Sequence, residues 1–493
     1  MAKIDQELKR EEKLAKLKEK GINIFPKNYS KTHSVSDVIR EFRNLTLEDL
    51  EKNEINLRVP GRIIAIRKMG GASFFHISDG EEKLQGYIRK DMISPEYWEL
   101  FYLLDIGDIV GIEGKLFRTR TGEMTVLLSS LTFLSKSLHP LPEKWHGLQD
   151  VELRYRKRYL DLIVNPEVRK VFEIRSQIIK VIRDFFDRRG YIEVETPMMH
   201  PIPGGAIARP FKTYHSALDM ELFLRIAPEL YLKRLIVGGY EKVYEINRNF
   251  RNEGVSFEHN PEFTMLEFYE AYSDYTAYMK LTEELIVELA EKVLGKHEVV
   301  FDGNKIEIKL PFKRIPFSDL IERFTGISKK ILESEDELTE KAKMICSKEK
   351  ASKIKTYGKA LDALFDEFAK KRLVEPTFVI DFPKELSPLA KSLEDNPRYT
   401  ERFELVIGGM EVANAFSELN DPVEQRMRLI QQSKLKEKGE EEVHEIDEDF
   451  VEALEWGMPP TAGEGIGIDR LVMLFTDRTN IKEVILFPLL RPK

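Results

Sequence analysis

The chain has 493 residues, of which 42% are hydrophobic and 33% are charged, and its formal net charge is −8. This length exceeds what one hydrophobic core usually supports, so we expect two or three domains. The acidic balance argues against a globally basic nucleic-acid-binding protein, and the single cysteine excludes an internal disulfide and a multi-cysteine zinc site. No apolar run reaches the roughly 18 residues of a membrane span. The N-terminal sequence also lacks the apolar core of a secretory signal, so we expect a cytoplasmic protein without a membrane partner.

The residue types along the chain indicate an α+β protein. Residues 1–50 carry a thin apolar stripe under many charges, which is typical of a helical N-terminal extension. Short alternating runs broken by glycine fill residues 51–138 and predict a small β-barrel or sandwich. Residues 139–160 begin with a proline-rich stretch and are interpreted as a linker. The remainder, 161–493, predicts strands flanked by helices, with a helical insertion at about 318–372.

Several common signatures of enzymes are missing. The sequence contains no GxxxxGK[ST] phosphate-binding loop, no HExxH zinc motif and no GxSxG nucleophile motif. The glycines of GEGIGIDR (463–470) alternate, but they do not fit the GxGxxG pattern of a dinucleotide-binding βαβ unit. The usual signals of nucleophilic and zinc chemistry are therefore absent.

The most informative segment is a pair of alternating runs within 225–272. Alternate residues of a strand share a face, so one side of the first run carries Asn247, Asn249, Arg251 and Glu253. One side of the second run carries Phe263, Met265, Glu267 and Tyr269, and the loop between the runs contains His259 and Asn260. Any one of these residues could belong to a solvated outer face. Charges mixed with aromatic rings favour an antiparallel hairpin that lines a pocket.

A second hairpin is predicted within 402–421, because Gly408-Gly409 is a favourable two-residue turn. This turn places Val406 opposite Glu411 and puts Glu404 diagonally across, at roughly 7–8 Å. Two such carboxylates repel unless a cation lies between them, and Mg²⁺ suits a carboxylate pair that also meets phosphate. A further same-face set has the opposite parity: Asn414, Phe416 and Glu418. We therefore predict an irregularity, such as a β-bulge, between Glu411 and Asn414.

The third segment, 459–475, combines three alternate glycines with an apolar run. From Ile468 onward it predicts a buried helix with Arg470 in the first turn. Taken alone, Gly463, Gly465 and Gly467 are explained more simply by tight packing of helix on sheet than by a bound ligand.

Together these segments resemble the class II aminoacyl-tRNA synthetases. FRNE (250–253) is similar to their motif 2, GIGIDR (465–470) to motif 3 and GYIEVETP (190–197) to the dimer-forming motif 1. Longer segments resemble the bacterial type of lysyl-tRNA synthetase: RIAPELYLKRLIVGG (225–239), PIPGGAIARPF (201–211), HNPEFTMLEFYEAY (259–272), NAFSELND (414–421) and VILFPLLRP (484–492). The resemblance covers nearly the whole chain. Glu464 departs from it, because an aromatic or aliphatic residue is common there in the family.

The resemblance implies a lysine–tRNA ligase with a class II antiparallel sheet, Mg²⁺ as cofactor and a homodimeric assembly. Such an enzyme joins L-lysine to ATP as lysyl-adenylate and then transfers the lysyl group to tRNA(Lys). The family pattern implies Arg251 and Arg470 as catalytic residues, Mg²⁺ at Glu404 and Glu411, and ATP contacts from Arg251, Glu253, His259, Asn260, Phe263, Glu404 and Arg470. The implied lysine site comprises Gly205, Glu229, Arg251, Glu267, Tyr269, Asn414, Phe416 and Glu418.

The resemblance also implies that the N-terminal β region is an OB-fold that reads the anticodon. Phe74 and Gln85 match the aromatic residue and the amide that meet the central uridine, and Glu123 is a third implied contact. Because adjacent strand residues lie on opposite faces, we expect one of Phe74 and Phe75 in the barrel core and the other at the surface.

Three alternative functions share parts of this pattern. An enzyme that lysylates a protein would need no anticodon reader, and the β domain argues against it. A relative of the aspartyl and asparaginyl branch needs a cationic side-chain pocket, whereas Glu418 and Tyr269 suit an ammonium. A non-catalytic relative should have lost Arg251, Glu411 or Arg470, all of which are present. For Glu418 itself, the structural alternative is that it caps the helix beginning near Asp421-Pro422.

Overall fold

The computed structural model describes residues 5–142, 148–254, 256–435 and 446–492. It divides the chain into two compact units, residues 1–169 and 170–493. Part of the interpreted linker, residues 143–147, lies outside the described residues. The finer domain boundaries stay predictions.

The first unit contains a closed β-barrel. Its strands are β1 (Asn56–Lys68), β2 (Ala72–Ser78), β3 (Lys83–Arg89), β4 (Ile109–Arg118) and β5 (Met124–Ser135). The helices of this unit are α1 (Asp5–Glu19), α2 (Val35–Phe42), α3 (Leu47–Lys52), α4 (Pro95–Leu103), α5 (Val151–Arg156) and α6 (Arg158–Val164). The strand order is β1-β2-β3-β5-β4, which confirms the small barrel predicted from the alternating runs.

Alternation along the strands builds the barrel core. In β2, Phe75 and Ile77 are buried in the apolar cluster, whereas Phe74 faces outward and is half-buried. The expectation that one of the two adjacent phenylalanines is core and the other surface is confirmed. Phe74 is thereby left available on the outer face of the barrel.

The second unit is a mixed sheet with helices packed on it. Its strands are β6 (Ile192–Glu193), β7 (Met199–His200), β8 (Phe211–His215), β9 (Met220–Leu224), β10 (Lys242–Phe250), β11 (Glu262–Ala271), β12 (Glu298–Phe301), β13 (Asn304–Glu307), β14 (Lys313–Pro316), β15 (Thr377–Pro383), β16 (Tyr399–Ile407), β17 (Met410–Ser417) and β18 (Thr461–Gly467). The order across the main sheet is β14-β15-β16-β17-β18-β11-β10-β6. The inner strands pair antiparallel, as predicted, while the edge strands β14 and β6 run parallel to their neighbours.

Helices account for most of the remaining length of the second unit. They are α7 (Pro166–Asp187), α8 (Glu229–Val237), α9 (Tyr275–Leu289), α10 (Phe317–Thr325), α11 (Lys329–Leu332), α12 (Glu335–Ile345), α13 (Lys348–Lys353), α14 (Tyr357–Leu364), α15 (Pro422–Lys434), α16 (Glu448–Glu455), α17 (Ile468–Thr476) and α18 (Ile481–Val484). Short π-helical turns follow α9 and α14, and the helices from α10 to α14 correspond to the predicted insertion. None of the helices described combines the length and apolar character that crossing a bilayer requires.

The main core of the second unit lies between the sheet and the helices α7, α9 and α17. Almost every residue of α17 from Ile468 to Phe475 is buried, which is what an apolar sequence on all sides of a helix predicts. Arg470 is the exception, and it is half-buried in the first turn. The buried helix therefore fixes the backbone from which Arg470 extends.

Candidate active site

A cavity of about 370 Å³ in the second unit gathers most of the candidate residues. From the predicted set its lining contains Gly205, Glu229, Arg251, Glu253, His259, Asn260, Phe263, Glu267, Tyr269, Glu411, Asn414, Phe416 and Arg470. Glu404 and Glu418 are buried just behind this lining. Glu404 contacts Arg402, which lines the cavity, and Glu418 lies beside Gly463, which also does.

The hairpin predicted within 225–272 is confirmed. β10 and β11 pair antiparallel from Lys242 opposite Glu270 to Phe250 opposite Glu262. Just beyond the strand end, the amide of Arg251 donates to the Pro261 carbonyl at 2.9 Å and holds the start of the loop closed. The loop carrying His259 and Asn260 lines the cavity, and so does the predicted face of β11. Asn247 and Asn249, predicted on the lining face of β10, are instead buried and do not line it.

The second hairpin carries the irregularity that the sequence predicts. Gly408 and Gly409 form its turn with φ of 62° and 76°, the left-handed conformation that a two-residue turn requires. Val406 pairs with Glu411, but Leu405 pairs with Ala413, so that Val412 is an extra residue in β17. This confirms the bulge predicted between Glu411 and Asn414.

Cations of the chain itself lie beside the two carboxylates of this hairpin. An Arg402 nitrogen lies 2.6 Å from Glu404 Oε1, and Arg470 and Lys370 nitrogens lie 3.4 and 3.6 Å from Glu411 Oε2. Burial and the charge of Glu411 raise the pKa of Glu404 to about 7. Burial opposes ionisation of Glu411 too, but Lys370 and Arg470 outweigh it and lower its pKa to about 2. The contacts of these cations with Glu404 and Glu411 were not predicted from the sequence. Because the cations offset the repulsion between the two carboxylates, that repulsion does not by itself require a metal.

The described residues form no site at which protein side chains alone would surround a metal ion. The described residues contain no group of three or more histidine, cysteine or acidic side chains arranged to hold an ion. Glu404 and Glu411 are a pair of oxygen donors, which suits a hard cation that takes its remaining ligands from water and phosphate. The donor set thus fits Mg²⁺ bound together with a nucleotide.

The other end of the cavity is strongly acidic. Burial raises the pKa of Glu267 to about 8, and the nearby charge of Glu229 adds to the shift. Glu418 is 1% exposed, and its pKa is raised by burial and by Glu229 although Lys233 opposes the shift. The hydroxyl-bearing ring of Tyr269 completes this end, 3% exposed. Such a concentration of buried carboxylates is suited to bind cationic groups.

Glu418 does not cap the following helix. The N-cap of α15 is Asp421, whose carboxylate accepts hydrogen bonds from the amides of Val423 and Glu424. The structural alternative for Glu418 is therefore wrong. Both oxygens of its carboxylate are buried and accept no hydrogen bond from the described residues, although the Lys233 ammonium lies 2.5 Å from Oε2.

The alternate glycines lie in a strand that the sequence did not predict. β18 pairs with β11 on one side and β17 on the other, and its glycines line the cavity. Glu464 between them is fully buried and accepts from the Thr282 hydroxyl at 2.7 Å. Pairing on both sides of Glu464 is regular, so its departure from the family pattern does not distort the strand.

The nucleotide-side candidates form a second group around Arg251. The Arg251 guanidinium carbon lies 5.0 Å from the centre of the Phe263 ring, and its Nε donates to the Ile226 carbonyl at 3.3 Å. Burial lowers the pKa of His259, whose Nδ1 lies 2.9 Å from the Ser256 hydroxyl. This group combines an aromatic face with cations.

The barrel of the first unit brings its three candidates to one outer face. Gln85 donates to Glu123 Oε2 at 2.8 Å, and Phe74 stacks on Tyr87 with ring centres 4.4 Å apart. His76 also lies 2.8 Å from Glu123. Sequence reasoning missed His76 and Tyr87, although their positions two residues from Phe74 and Gln85 in β2 and β3 place them on the same face.

Comparison with known proteins agrees with this geometry. Residues 150–491 match the family described as tRNA synthetases class II (D, K and N), and residues 57–134 match the OB-fold nucleic acid binding domain. The chain belongs to the class II tRNA synthetases. Within that family it is similar to proteins named lysine--tRNA ligase, which confirms the resemblance seen in the motifs.

Three such relatives illustrate the extent of the similarity. The lysine--tRNA ligase of Carboxydothermus hydrogenoformans is 54% identical over 98% of this chain and 97% of its own length. That of Pelotomaculum thermopropionicum is 52% identical over 98% of this chain and 94% of its own. That of Bacillus mycoides is 50% identical over 99% of this chain and 98% of its own. The similarity of this class II synthetase to them therefore extends over both units.

Proposed function

We propose that the chain is a lysine–tRNA ligase that activates L-lysine with ATP and transfers the lysyl group to the 3′ end of tRNA(Lys). The observation that carries this proposal is the acidic end of the cavity, where Glu229, Glu267 and Glu418 lie near Arg251. Lysine is the amino acid with two ammonium groups and one carboxylate. The near full-length similarity to lysine--tRNA ligases supports the same substrate.

The amino acid would bind by charge complementarity. Glu229 and Glu267, beside Gly205, would take the α-ammonium, and Arg251 with Asn414 would take the carboxylate. Glu418 and the Tyr269 hydroxyl would take the side-chain ammonium, while Phe416 would pack against the aliphatic stem. This arrangement is supported by the burial of the three carboxylates, because a desolvated carboxylate interacts strongly with an ammonium that replaces its lost water.

The nucleotide would bind at the Arg251 side of the cavity. Phe263 would stack on the adenine, and Arg470 would cover its other face in a cation–π contact. Glu253 and Asn260 would help to hold the nucleotide, with Glu253 at the edge of the adenine. His259 and Arg470 would meet the terminal phosphates. The support is their common position in the lining of one cavity.

Mg²⁺ would be held by Glu404 and Glu411 together with phosphate oxygens of ATP. A metal held there would supply charge neutralisation for the phosphates. Arg402, Lys370 and Arg470 would stay beside these carboxylates and limit the excess negative charge there. The support is the oxygen-only donor pair on two adjacent strands.

The residues of the chain would act by positioning and by charge stabilisation. The lysine carboxylate attacks the α-phosphorus of ATP, and the bond to the leaving diphosphate breaks. Arg251 would bridge the carboxylate and the α-phosphate, where negative charge builds in the transition state. The terminal ribose hydroxyl of the tRNA would then attack the adenylate carbonyl and release AMP. No covalent intermediate with the enzyme is needed, so orientation of the substrates supplies much of the rate.

The outer face of the barrel would bind the anticodon. Phe74 would stack on an unpaired base, and Gln85 with Glu123 would supply hydrogen-bonding groups at its edge. The stacking of Phe74 on Tyr87 and the Gln85–Glu123 hydrogen bond support this assignment, since they bring an aromatic face and hydrogen-bonding groups together on one side of the barrel.

A homodimer around 190–197 is also proposed. Ile192 is 50% exposed at the edge strand β6, which leaves an apolar side chain for a partner. Tyr191, however, is buried in the chain's own core, so it would not be part of the isologous contact between the two subunits. A monomeric mass in light scattering at micromolar concentration would contradict the dimer.

The relatives' named activity on tRNA supports a cytoplasmic location, which we propose as well.

Charging of total bacterial tRNA with labelled lysine tests the proposed function. We expect lysine to be incorporated in an ATP-dependent reaction into a minor fraction of the tRNA, and not into tRNA whose terminal diol has been oxidised by periodate. Incorporation of lysine into protein instead of tRNA would favour the alternative of a protein-lysylating enzyme.

A further inference from the structure

Lys233 lies at the acidic end of the cavity between two glutamates. Its ammonium donates to Glu229 Oε1 at 2.6 Å and lies 2.5 Å from Glu418 Oε2, and its side chain is 0% exposed. Glu229 is one turn earlier on α8, whereas Glu418 follows β17. Lys233 therefore joins the helix to the residue proposed to bind the side-chain ammonium.

The two oxygens of Glu418 have different surroundings. Both are buried and accept no hydrogen bond from the described residues, but the Lys233 ammonium lies 2.5 Å from Oε2 in an ion pair. Oε1 lies toward Gly463 and Tyr269, which both line the cavity. One oxygen is thus in contact with Lys233, and the other lies beside the wall of the cavity.

The charges at this end of the cavity fit a ligand with two ammonium groups. Glu245 forms a buried ion pair with Arg225 at 2.7 Å, so these two charges offset each other. The ionised forms of Glu229, Glu267 and Glu418 carry three negative charges, and Lys233 offsets one of them. Two negative charges remain without a cation of the chain, and lysine has two ammonium groups. Arg251 is left for the substrate carboxylate.

We propose that Lys233 is a positioning and specificity-determining residue, whose ammonium fixes Glu418 in place and sets the local charge for a substrate with two ammonium groups. The inference rests on the proposed lysine-activating function. Lys233 does not touch the substrate in this scheme, and it acts through Glu418.

The effect of removing Lys233 on the pKa of Glu418 depends on the charges of the neighbouring groups. Burial lowers the pKa of Lys233, but the charges of Glu229 and Glu418 outweigh it, so its pKa is raised and it stays charged. The charged groups near Glu418 are Lys233 and Glu229 on α8 and Glu267 on β11, and Tyr269 lies close to all three glutamates. The Glu245–Arg225 pair and Arg251 lie near Glu267. Without Lys233 the pKa of Glu418 rises further, because the only opposing cation in direct contact with it among the described residues is removed.

The test is the lysine dependence of ATP–pyrophosphate exchange in Lys233→Met across pH 6.5 to 9. We expect the lysine KM to rise at least tenfold at pH 7 with an unchanged KM for ATP. We also expect the KM to fall as pH rises, since the substrate ammonium must displace a proton from a carboxyl group. The pH at which this fall ends should be higher in the variant than in the wild-type chain by about one unit or more.

Lys136→Met is the matched control. Lys136 has a fully buried side chain between Asp105 and Asp108, at 2.7 and 2.8 Å, in the barrel unit. It should lower thermal stability but leave the lysine KM and its pH profile unchanged. Should Lys233→Met fail to fold, Lys233→Arg and Lys233→Gln give the comparison, with the charged variant expected to keep a pH profile nearer to wild type.

The outcomes separate the inference from the function on which it rests. No lysine-dependent exchange by the wild-type chain overturns the proposed function. Normal exchange by the wild type, with the same lysine KM and pH profile in Lys233→Met, overturns the role of Lys233. Equal profiles for Lys233→Arg and Lys233→Gln would overturn it as well, since the role depends on charge.

Discussion

Gly463 and Tyr269 are paired across β18 and β11 so closely that position 463 has no room for a side chain. A β-carbon built there would lie 2.2 Å from Cε1 of the Tyr269 ring and 2.3 Å from Glu418 Oε1. The absence of a side chain therefore shapes the wall of the cavity at the proposed lysine side chain.

Gly463→Ala should raise the lysine KM by roughly tenfold or more, because Tyr269 or Glu418 must move to accommodate the methyl group. Overpacking of this kind costs about 1–3 kcal/mol. The KM for ATP should change little. Gly70→Ala is the control, since a β-carbon at position 70 meets nothing within 4 Å. An unaltered lysine KM in pyrophosphate exchange would show that this wall does not contact the substrate.

Glu418→Gln should reduce lysine activation more than a hundredfold. The substitution keeps the shape but leaves a buried ammonium without its counter-charge, for which roughly 3–5 kcal/mol is expected. Pyrophosphate exchange at saturating ATP gives the lysine dependence. Asp421→Ala, which removes the actual cap of α15, should cost about 0.5–2 kcal/mol of stability and leave the lysine KM unchanged. A Glu418→Gln variant that behaves like Asp421→Ala would remove Glu418 from the substrate site.

Phe74→Ala should weaken tRNA charging without affecting amino-acid activation. Loss of one base–aromatic stack costs about 1–3 kcal/mol, so the KM for tRNA should rise by roughly 5- to 150-fold. Lysine-dependent pyrophosphate exchange should stay at the wild-type rate. The exposed Phe25, 61% accessible, provides the control substitution Phe25→Ala. Equal KM values for tRNA in both variants would contradict an anticodon contact by Phe74.

Glu464→Gln should make the second unit more stable at alkaline pH. Burial raises the pKa of Glu464 well above the ordinary glutamate value, although the Thr282 hydrogen bond opposes the shift. The folded chain then binds a proton that the unfolded chain releases, so stability is lost as pH rises from the ordinary value toward the raised one. The slope is at most about 1.4 kcal/mol per pH unit.

Thermal unfolding of the wild type and Glu464→Gln between pH 5.5 and 8.5 measures this effect. The midpoint difference should widen with pH, and the exposed Glu241→Gln should show no such widening. Parallel curves for the wild type and Glu464→Gln would mean that the carboxyl group ionises at its ordinary pKa.

Side-chain parity was enough to predict the hairpins and the bulge at Val412. Glu411 and Asn414 both carry polar groups of the kind that line a site, and an unbroken strand would send them to opposite faces. The conflict is local, so it can be detected in the sequence. The register around Val412 resolves it in the way that a bulge does.

Two features depend on tertiary packing and were not predicted. β18 is rich in glycine, which has a low propensity for strands. It is a strand because it pairs with β11 on one side and β17 on the other. Lys233 follows Glu229 by four residues on a helix, which is usually a solvated ion pair. Glu418, which directly follows β17, also contacts Lys233, so the Glu229–Lys233 pair becomes part of a buried cluster of three charged residues.

The central claim is tested most directly by ATP–pyrophosphate exchange with each of the twenty amino acids in turn. A lysine-activating enzyme with two ammonium sites and a carboxylate site should exchange rapidly with lysine. Arginine and the neutral and acidic amino acids should give at most about a hundredth of that rate at equal concentration, because they leave at least one buried carboxylate without an ammonium partner. Exchange that is fastest with an amino acid other than lysine, or that does not depend on any amino acid, would contradict the account.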